Sequence, residues 1–594
     1  MHTIDQAPPK TMILISLVQG FCLLYLHQAI ELGFWPNHLP HWLFALYSIA
    51  FILPTMLLLS LRAGNTRGIL KLTLPFVLLS ALLGYYVGYQ ATPIDHVRFN
   101  ALLAAYVLTM TIATFKSLMY SQQIAAGEPV SYSALFLWSW RNFLIIALSL
   151  LFAGCIWLIF MLWAALFKAI EIDFFANLFK EPWFFYPTVA LANGFGIIIF
   201  RSLTNIIDTI TRLQQALMKF LLIFLVLISL LFLGALPFTG LDPLWKSGGS
   251  ALILWMQALI LFFVNGVYQD NPEQRPYAIW LHRFIYVGIA LLPIYSAISF
   301  YGLSLRVDQY GWSQDRCWAF LIWFLLALFP LGYWWGIAKW RDAWVYQLSR
   351  VNVVVGALVL VAMLLVNSPL LDFRKIVVND QLNRLANNPV LLDEFDFNYF
   401  RWSLARPGYE GLQEIKALYG KSHPQIVVRI NELYRDPQAN QAVSTKEEFV
   451  ELIEVLAGDP PPTLLDAIYQ NEAKNAWAMQ NARKYYLRPI DLNQDGEIDY
   501  LLASAFHRSL SLTLYYFKDS QWQQVVIASG RFLMGKQSPR LIEALKTGDF
   551  QITRPEWNDL EIGGTKFHVR ENALQGGPEI IFPQGAISGK PISR

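Results

Sequence analysis

A chain of 594 residues with 55% hydrophobic and only 15% charged residues is too apolar for an ordinary soluble protein, in which about a quarter of the residues are charged. Its length and its mean hydropathy of +0.40 predict several membrane spans joined to a soluble part. The net charge of +3 is uninformative taken whole, but the lack of any cluster rich in lysine and arginine argues against nucleic-acid binding. The three cysteines lie in or beside apolar runs, which argues against a disulfide framework.

Eleven apolar runs approach or reach the length of a membrane span, because about 30 Å of hydrocarbon requires roughly 20 helical residues. They cover residues 11–30, 41–61, 70–90, 98–119, 142–167, 184–200, 217–237, 249–268, 283–304, 317–337 and 351–368. The sequence therefore predicts a polytopic α-helical membrane bundle of about eleven transmembrane helices over residues 1–368. Lys10 is the only lysine or arginine before the first run, and no small-residue cleavage site follows the run. We therefore expect it to be an uncleaved span and not a removed signal peptide.

The basic residues are concentrated in every second connection between the predicted spans. One set of connections holds Lys10, Arg62, Arg67, Lys71, Lys116, Arg141, Arg201, Arg212, Lys219, Arg275, Arg283, Lys339, Arg341 and Arg350. The other set holds Arg98, Lys168, Lys180, Lys246, Arg306 and Arg316. Since cytoplasmic loops carry the excess of positive charge, the N-terminus is predicted to be cytoplasmic. An odd number of spans then places residues 369–594 outside, which in a bacterium is the periplasm.

A cluster of polar residues lies at the outer end of the first predicted span. Its members are His27, Glu31, His38 and His41. Because His27 and Glu31 are four residues apart, they share one helix face, and such a set could bind zinc or relay protons. Alternatively, these side chains lie at the level of the lipid headgroups, where water solvates them, and Pro40 interrupts their helical spacing. Both interpretations remain open.

Few polar residues lie at membrane depth. Gln19, Gln257 and Asn265 are the clearest, and hydrogen bonds between helices explain them adequately. The stretch "ANGFG", residues 192–196, indicates either close helix packing or a broken helix. A broken helix would favour a transporter, but no matching interrupted span is evident in a second half.

Two stretches near the end of the bundle carry a family resemblance. "YGLSLRVDQYGWSQDRCWAF" covers residues 301–320, and "FDFNYFRWSLARPGYEGLQEIKAL" covers residues 395–418. Together they resemble the bacterial multipass membrane family called domain of unknown function 4153. The loop that carries the resemblance supplies four signature positions: Tyr310, Gly311, Trp312 and Arg316. Ser313 stands where the family usually has threonine. The resemblance implies an inner-membrane location and no particular activity.

The same loop has a local physical interpretation. Ser313 is a good helix N-cap and Asp315 would lie in the first turn, which predicts that a helix begins here. Arg306 and Arg316 lie close in sequence to Asp308 and Asp315. The loop is therefore either a docking or substrate loop on the outer side, or a capped turn held by ion pairs between two spans.

Beyond the last span the composition becomes that of a soluble domain. Residues 369–485 are predicted as a helical periplasmic subdomain, with helical spacing in "RKIVVNDQLNRLA" and "TKEEFVELIEVLA". Residues 486–594 are predicted as a β-rich α+β subdomain, because "YLRPI", "DYLLASAF", "LTLYYF" and "WQQVVIAS" are typical strand sequences.

The stretch "DLNQDGEIDY", residues 491–500, has the spacing of a calcium loop. Its candidate ligands are Asp491, Asn493, Asp495, Glu497 (through its backbone carbonyl) and Asp499. Gly496 supplies the sharp turn, but Leu502 replaces the bidentate glutamate of an EF-hand, and a predicted strand follows. The pattern favours a structural Ca²⁺ loop of weak affinity, roughly 10⁻⁴–10⁻³ M. The alternative is a polar hairpin turn without metal.

No phosphate-binding loop, dinucleotide fingerprint or nucleophile motif is evident, so no enzyme activity is assigned. The leading hypothesis is a bacterial inner-membrane protein that acts as an envelope scaffold, sensor or accessory protein with a calcium-stabilised periplasmic domain. Its expected partners are the lipid bilayer and an unknown envelope protein. The alternative is a transporter or a membrane-embedded enzyme acting on a lipid-linked or small-molecule substrate, which would need buried polar groups converging on one cavity.

Overall fold

The chain forms two compact units, Met1–Leu433 and Tyr434–Arg594, in a computed structural model. The residues that the structure describes are 8–62, 64–97, 100–127, 129–243, 249–268, 276–341, 344–392, 395–434, 446–473, 484–492, 495–506, 510–518, 520–528, 537–552, 560–562, 565–572 and 577–581.

A bundle of apolar helices makes up most of the first unit. Its helices are α1 (Pro9–Leu32), α2 (Pro40–Ser60), α3 (Thr66–Tyr89), α4 (Asn100–Ala125), α5 (Tyr132–Lys168), α6 (Phe174–Leu178), α7 (Pro182–Ser202), α8 (Thr204–Thr239), α9 (Ser250–Val267), α10 (Ile279–Ala290), α11 (Leu292–Tyr310), α12 (Gln314–Trp340) and α13 (Val345–Leu365). Within the described residues, ten helical stretches are long and apolar enough to cross a membrane, and α10 with α11 forms one of them. The predicted polytopic bundle is therefore confirmed.

One predicted span, 249–268, forms a shorter helix than the others. It corresponds to α9, whose 18 residues rise only about 27 Å at 1.5 Å per residue. This is slightly less than the roughly 30 Å of bilayer hydrocarbon. With α9 counted, every predicted span coincides with a helix or, in one case, with the pair α10–α11.

The glycines of "ANGFG" serve close packing of α7. The helix runs without interruption through residues 192–196, which excludes a broken helix there. A Cβ atom on Gly194 would collide with the side chain of Ser16 in α1. A Cβ on Gly196 would lie 2.8 Å from the Cα of Ser149 in α5. Small residues thus let α7 approach both neighbours, as is common between membrane helices.

Four further helices, which we call the cap, complete the first unit. They are α14 (Phe373–Asn387), α15 (Phe397–Ser403), α16 (Ala405–Tyr419) and α17 (Pro424–Tyr434), with a 3₁₀ turn at Pro389–Leu392. The cap packs on the bundle: the centres of the Phe373 and Trp318 rings lie 5.1 Å apart, and the backbone N–H of Arg406 donates to the backbone carbonyl of Gln90 at 3.0 Å. The compact units therefore divide after Leu433, whereas the sequence predicted divisions after residues 368 and 485.

The second unit is built around mostly antiparallel sheets, which confirms the predicted α+β class. Its elements are α18 (Lys446–Glu451), β1 (Ile453–Val455), α19 (Pro462–Ala473), β2 (Lys484–Ile490), β3 (Asp499–Ala505), β4 (Leu510–Lys518), β5 (Gln521–Ala528), α20 (Gln537–Thr547), β6 (Leu560–Ile562), β7 (Thr565–Asn572) and β8 (Gly577–Ile581). Strands β1 to β5 form one sheet in sequence order, with β1 parallel to β2, and β6 to β8 form another. Ile453 pairs with Tyr485, so a strand occurs inside the range predicted as helical.

Candidate functional site

The family-like loop between α11 and α12 is bound tightly to α14 of the cap. The backbone N–H of Trp312 donates to Oδ2 of Asp380 at 2.8 Å. Nε2 of Gln381 donates to the carbonyl oxygens of Tyr310 and Trp312 at 3.2 and 3.1 Å. Gly311 has a φ of +73°, and a Cβ there would lie 2.6 Å from Oδ2 of Asp380. Only glycine fits this backbone conformation and this close approach.

Arg384, one turn beyond Asp380 on α14, binds the C-terminal end of α11. Its Nη1 donates to the carbonyl of Asp308 at 3.2 Å and its Nη2 to that of Gln309 at 3.1 Å. The last carbonyls of a helix lack partners within the helix, so the guanidinium satisfies groups that would otherwise need water. The helix dipole adds to this attraction for a positive charge.

The second family-like stretch reaches the same loop through Tyr399 of α15. The backbone N–H of Gln314 donates to the Tyr399 hydroxyl at 2.8 Å, while Ser313 caps α12 by accepting from the N–H of Arg316 at 3.3 Å. The predicted helix start at Ser313 is therefore confirmed. The predicted ion pairs are not formed among these described residues: Nη1 of Arg316 donates to the carbonyl of Gly311 at 2.5 Å instead.

We call this set of contacts the cap joint. Its members are Tyr310, Gly311, Trp312, Ser313, Gln314, Arg316, Asp380, Gln381, Arg384 and Tyr399. Sequence reasoning did not single out the three α14 residues. The available signal was "NDQLNR", in which Asp380 and Arg384 are four residues apart and so share a helix face.

A buried ion pair fixes the start of the cap. Nε and Nη2 of Arg374 donate to the two carboxylate oxygens of Asp372 at 2.7 and 2.8 Å. The Asp372 side chain is 1% exposed and that of Arg374 is 9% exposed. The hydroxyl of Tyr86 in α3 donates to Oδ2 of Asp372 at 2.8 Å, and Asp372 also caps α14. This group joins the cap to a second helix of the bundle.

Two arginines join the cap to the connection between α3 and α4. Nη1 of Arg401 donates to the carbonyl of His96. Nη1 of Arg406 donates to the Thr92 hydroxyl at 2.9 Å, and its guanidinium lies 4.2 Å from the centre of the Tyr89 ring. Together with the cap joint, these contacts hold the cap to one end of the bundle, which we call the cap end.

The predicted histidine–glutamate cluster has separate partners in the structure. The rings of His27 and Tyr186 are tilted against each other with centres 5.0 Å apart, and His41 packs edge-on against Tyr85 at 4.7 Å. A ring nitrogen of His38 lies 3.1 Å from the carbonyl oxygen of Gly33, while Glu31 is exposed. The structure therefore gives each histidine its own neighbour, and the metal or proton-relay interpretation stays a prediction.

The calcium-like loop is organised by its own acidic side chains. The Asp491 carboxylate accepts from the backbone N–H groups of Asp495 and Gly496 at 3.2 and 3.1 Å, and Asp495 accepts from the N–H of Glu497 at 2.8 Å. Gly496 has a φ of +89°, as the predicted sharp turn requires. Asn493 lies outside the described residues. No group of three or more metal-ligating side chains is found in the described parts of the chain.

Asp499, the last candidate ligand, begins β3 and is 5% exposed. Burial raises the pKa of its carboxyl, and the negative charges of Asp495, Asp491 and Glu497 raise that pKa further, while a hydrogen bond from the backbone of Leu492 lowers it. A bound cation would relieve this repulsion. The electrostatics of the loop are therefore those of a site that favours a positive charge.

The polar groups predicted at membrane depth join helices to one another. The Tyr333 hydroxyl lies 2.7 Å from Oδ1 of Asn265 and 2.5 Å from Oδ1 of Asn352, and Tyr132 donates to the Asn265 carbonyl at 2.7 Å. Gln257 donates to the Ser296 hydroxyl at 2.8 Å. Gln19 likewise donates to the carbonyl of Ala50 at 3.2 Å. The predicted helix–helix hydrogen bonds are confirmed.

A bundle of apolar, membrane-length helices with an attached α+β unit defines a multi-span membrane protein. Comparison with known protein families matches residues 20–415 to the family described as "Domain of unknown function (DUF4153)", and the chain belongs to it. The match includes the cap joint and the earlier helices, and it ends within α16. No curated protein and no solved structure matched the chain.

Proposed function

We propose that this protein is an envelope scaffold or accessory protein of a bacterial inner membrane. Its cap and its C-terminal unit would lie in the periplasm, and its partner would be another envelope protein. The cap joint carries this proposal. The family-like residues are used there to fasten soluble helices to the bundle, with hydrogen bonds mostly between 2.8 and 3.3 Å.

The chemistry of the joint supports a mechanical role. A catalytic or transport site presents polar groups to a ligand within a cavity. In the joint, the Asp380 carboxylate, the Gln381 amide and the Arg384 guanidinium all bind backbone groups of the loop instead. Such contacts make the cap a rigid extension of the bundle. The uneven distribution of basic residues along the connections supports a periplasmic cap.

A transporter or a membrane-embedded enzyme acting on a lipid-linked or small-molecule substrate is the second candidate. It is favoured by the hydrogen-bonded set Asn265, Tyr333 and Asn352, which we call the buried set because Tyr333 and Asn352 are buried and Asn265 is half-buried. Polar groups inside a membrane bundle often mark a pathway. The two candidates depend on different residues: a scaffold requires the cap joint, whereas a transporter requires the buried set.

Complementation in a strain that lacks this gene separates the two candidates. We expect the deletion to sensitise the envelope to detergents, and we expect Asp380→Ala to fail to restore resistance because the Trp312 N–H loses its acceptor. Asp380→Asn, which keeps an acceptor oxygen, is the matched control and should restore it. Asn352→Leu, a substitution of similar volume, should also restore resistance.

Membrane levels of each variant are measured by immunoblot, so that lost function is distinguished from lost protein. An Asn352→Leu variant that is present at normal levels but inactive would overturn the scaffold proposal in favour of transport. A deletion strain with an unchanged envelope would overturn the proposed envelope role.

We further propose that Ca²⁺ binds the loop of residues 491–499 and stabilises the C-terminal unit. Hydrogen exchange of the full-length protein measures this locally, in peptides covering residues 484–505. With an affinity of roughly 10⁻⁴–10⁻³ M, 5 mM Ca²⁺ should slow exchange about 6- to 50-fold. Asp499→Asn should abolish the response, whereas Glu497→Gln should retain it, because residue 497 would offer its backbone carbonyl.

The metal-free loop provides a second signature. Because the pKa of Asp499 is raised in the folded protein, protonation favours the fold, and this contribution is lost as the pH rises through the folded pKa. Asp499→Asn should therefore raise the melting temperature of the metal-free protein at neutral pH. The metal assignment would be wrong if Ca²⁺ left hydrogen exchange of the wild type unchanged. It would also be wrong if Asp499→Asn and Glu497→Gln lost the response to Ca²⁺ equally.

A further inference from the structure

A narrow recess lined by three arginines lies at the end of the bundle away from the cap. Arg62 is in the connection between α2 and α3, Arg141 is near the start of α5, and Arg201 is at the end of α7. The cap contacts the opposite end of α3, at Tyr86 and Tyr89. Nη1 of Arg201 also lies 4.0 Å from the sulfur of Met12, so the recess is at the same end of the bundle as the first residues of α1.

The arginines are held in place by the surrounding helices. Arg201 donates to the carbonyl oxygen of Leu58 and, at 2.7 Å, to that of Leu61, both at the end of α2. Arg62 and Arg141 both lie over the ring of Trp138, at 5.0 and 5.6 Å from its centre. Such anchoring restricts the motion of the guanidinium groups, so little entropy would be lost when they bind a ligand.

The described lining of the recess contains no acidic side chain. The guanidinium groups of Arg62 and Arg201 therefore lie in a partly enclosed space to which the described lining contributes no carboxylate. Like charges in such a place repel one another, and an anion would reverse that repulsion. Arginine is also the side chain whose planar fork best matches phosphate oxygens.

Neutral donors complete the lining. Gln122 and Asn142 form a reciprocal amide pair, with distances of 2.7 and 3.2 Å. Ser60 is 4% exposed, and its hydroxyl has no hydrogen-bond partner among the described residues. A buried hydroxyl without a partner is uncommon, and a ligand oxygen would satisfy it. This orphaned donor is a second indication of a bound oxyanion, independent of the charges.

The surroundings favour a lipid as the source of that oxyanion. The recess lies where helices end, which is the level of the headgroups for a bundle that crosses a bilayer. Leu137 and Phe143, which flank the lining residues Trp138 and Asn142 on α5, are each 52% exposed. An acyl chain lying on these apolar side chains would place its phosphate at the recess.

We propose that this recess binds the phosphate of an anionic phospholipid in the adjoining leaflet. Arg62, Arg141 and Arg201 would bind the phosphate oxygens, and Ser60 would donate an additional hydrogen bond. In the predicted orientation this is the cytoplasmic leaflet. Basic pockets between membrane helices bind anionic headgroups in this manner.

Native mass spectrometry of the full-length protein tests the proposal, with phosphatidylglycerol and phosphatidylcholine titrated separately into the same detergent. The wild type should retain phosphatidylglycerol preferentially. Each arginine near an anionic headgroup contributes roughly a fivefold gain in affinity. Arg62→Gln should therefore weaken phosphatidylglycerol binding about fivefold, and Arg62→Gln with Arg141→Gln about 25-fold.

Arg67→Gln is the matched control, because Arg67 is an exposed arginine close to the same connection that does not line the recess. It should bind as the wild type does. An Arg67→Gln variant that loses as much affinity as Arg62→Gln would reduce the effect to net charge and overturn the proposal.

Two results with the wild type alone would also overturn the proposal, whatever the folding of the variants. The first is equal retention of the two lipids. The second is binding of inorganic phosphate without any preference for phosphatidylglycerol, which would assign the recess to a free anion.

Discussion

Replacing Asp372 by alanine is expected to lower the free energy of unfolding of the first unit by about 3–5 kcal/mol, the usual loss when one partner of a buried ion pair is removed. Arg374 would keep its charge at a site where its side chain is only 9% exposed. The substitution also removes the side chain that caps the N-terminus of α14 and the carboxylate that accepts from the Tyr86 hydroxyl.

Cys317 offers a local readout of this change. It is buried, and its neighbour Trp318 packs on Phe373 of α14. In a chain with Cys22 and Cys155 replaced by alanine, a thiol-reactive dye should label Cys317 at a markedly lower temperature in the Asp372→Ala variant than in the parent.

The double variant Asp372→Ala with Arg374→Met is the control, because it removes both charges together. It should recover a substantial part of the lost stability. If Cys317 is labelled at the same temperature in the single and double variants, the charges of the ion pair contribute nothing to stability. The loss of stability then arises from packing or helix capping alone.

The membrane bundle was predictable from the sequence because a bilayer leaves few alternatives to an apolar helix of fixed length. Apolar runs located the spans, and Ser313 marked the start of α12. Two of the described spans differ from their apolar runs: α9 is slightly shorter than the run 249–268, and the run 283–304 covers the pair α10–α11. Sequence signals predict the spans and the start of α12 because both depend on residues that are close together in the chain.

The cap joint was not predictable in the same way. Asp380 binds Trp312 across 68 residues, and Tyr86 binds Asp372 across 286 residues. Sequence spacing says nothing about such pairs, so the sequence predicts a helical subdomain over residues 369–485 without indicating its contacts with the bundle. The resemblance singled out the loop at Gly311 and Trp312, but its binding partner became evident only in the folded chain.

The second unit shows how tertiary pairing overrides a local pattern. The run "TKEEFVELIEVLA" has helical spacing, yet the helix ends at Glu451 and residues 453–455 form β1. The backbone pairing of Ile453 with Tyr485 decides the outcome, because strand preference depends strongly on context. The sequence does predict β2 to β5, by contrast, from their short β-rich runs.

The family comparison covers the cap joint but not the calcium-like loop. The match ends at residue 415, so the joint lies within it and the loop of residues 491–499 lies beyond it. The proposed scaffold role therefore depends on a part of the chain that characterises the family. The proposed calcium site concerns the C-terminal unit alone, and either can fail without the other.

The orientation of the bundle is the claim on which the proposed function depends most directly. Alkaline phosphatase, which is active only in the periplasm, can be fused after Leu433, where the first compact unit ends, and after Trp340, where α12 ends. Eleven spans with a cytoplasmic N-terminus predict activity for the fusion after Leu433 and none for the fusion after Trp340. A fluorescent protein that matures only in the cytoplasm should give the reverse pattern. Fluorescence after Leu433, with no phosphatase activity there, would contradict the account.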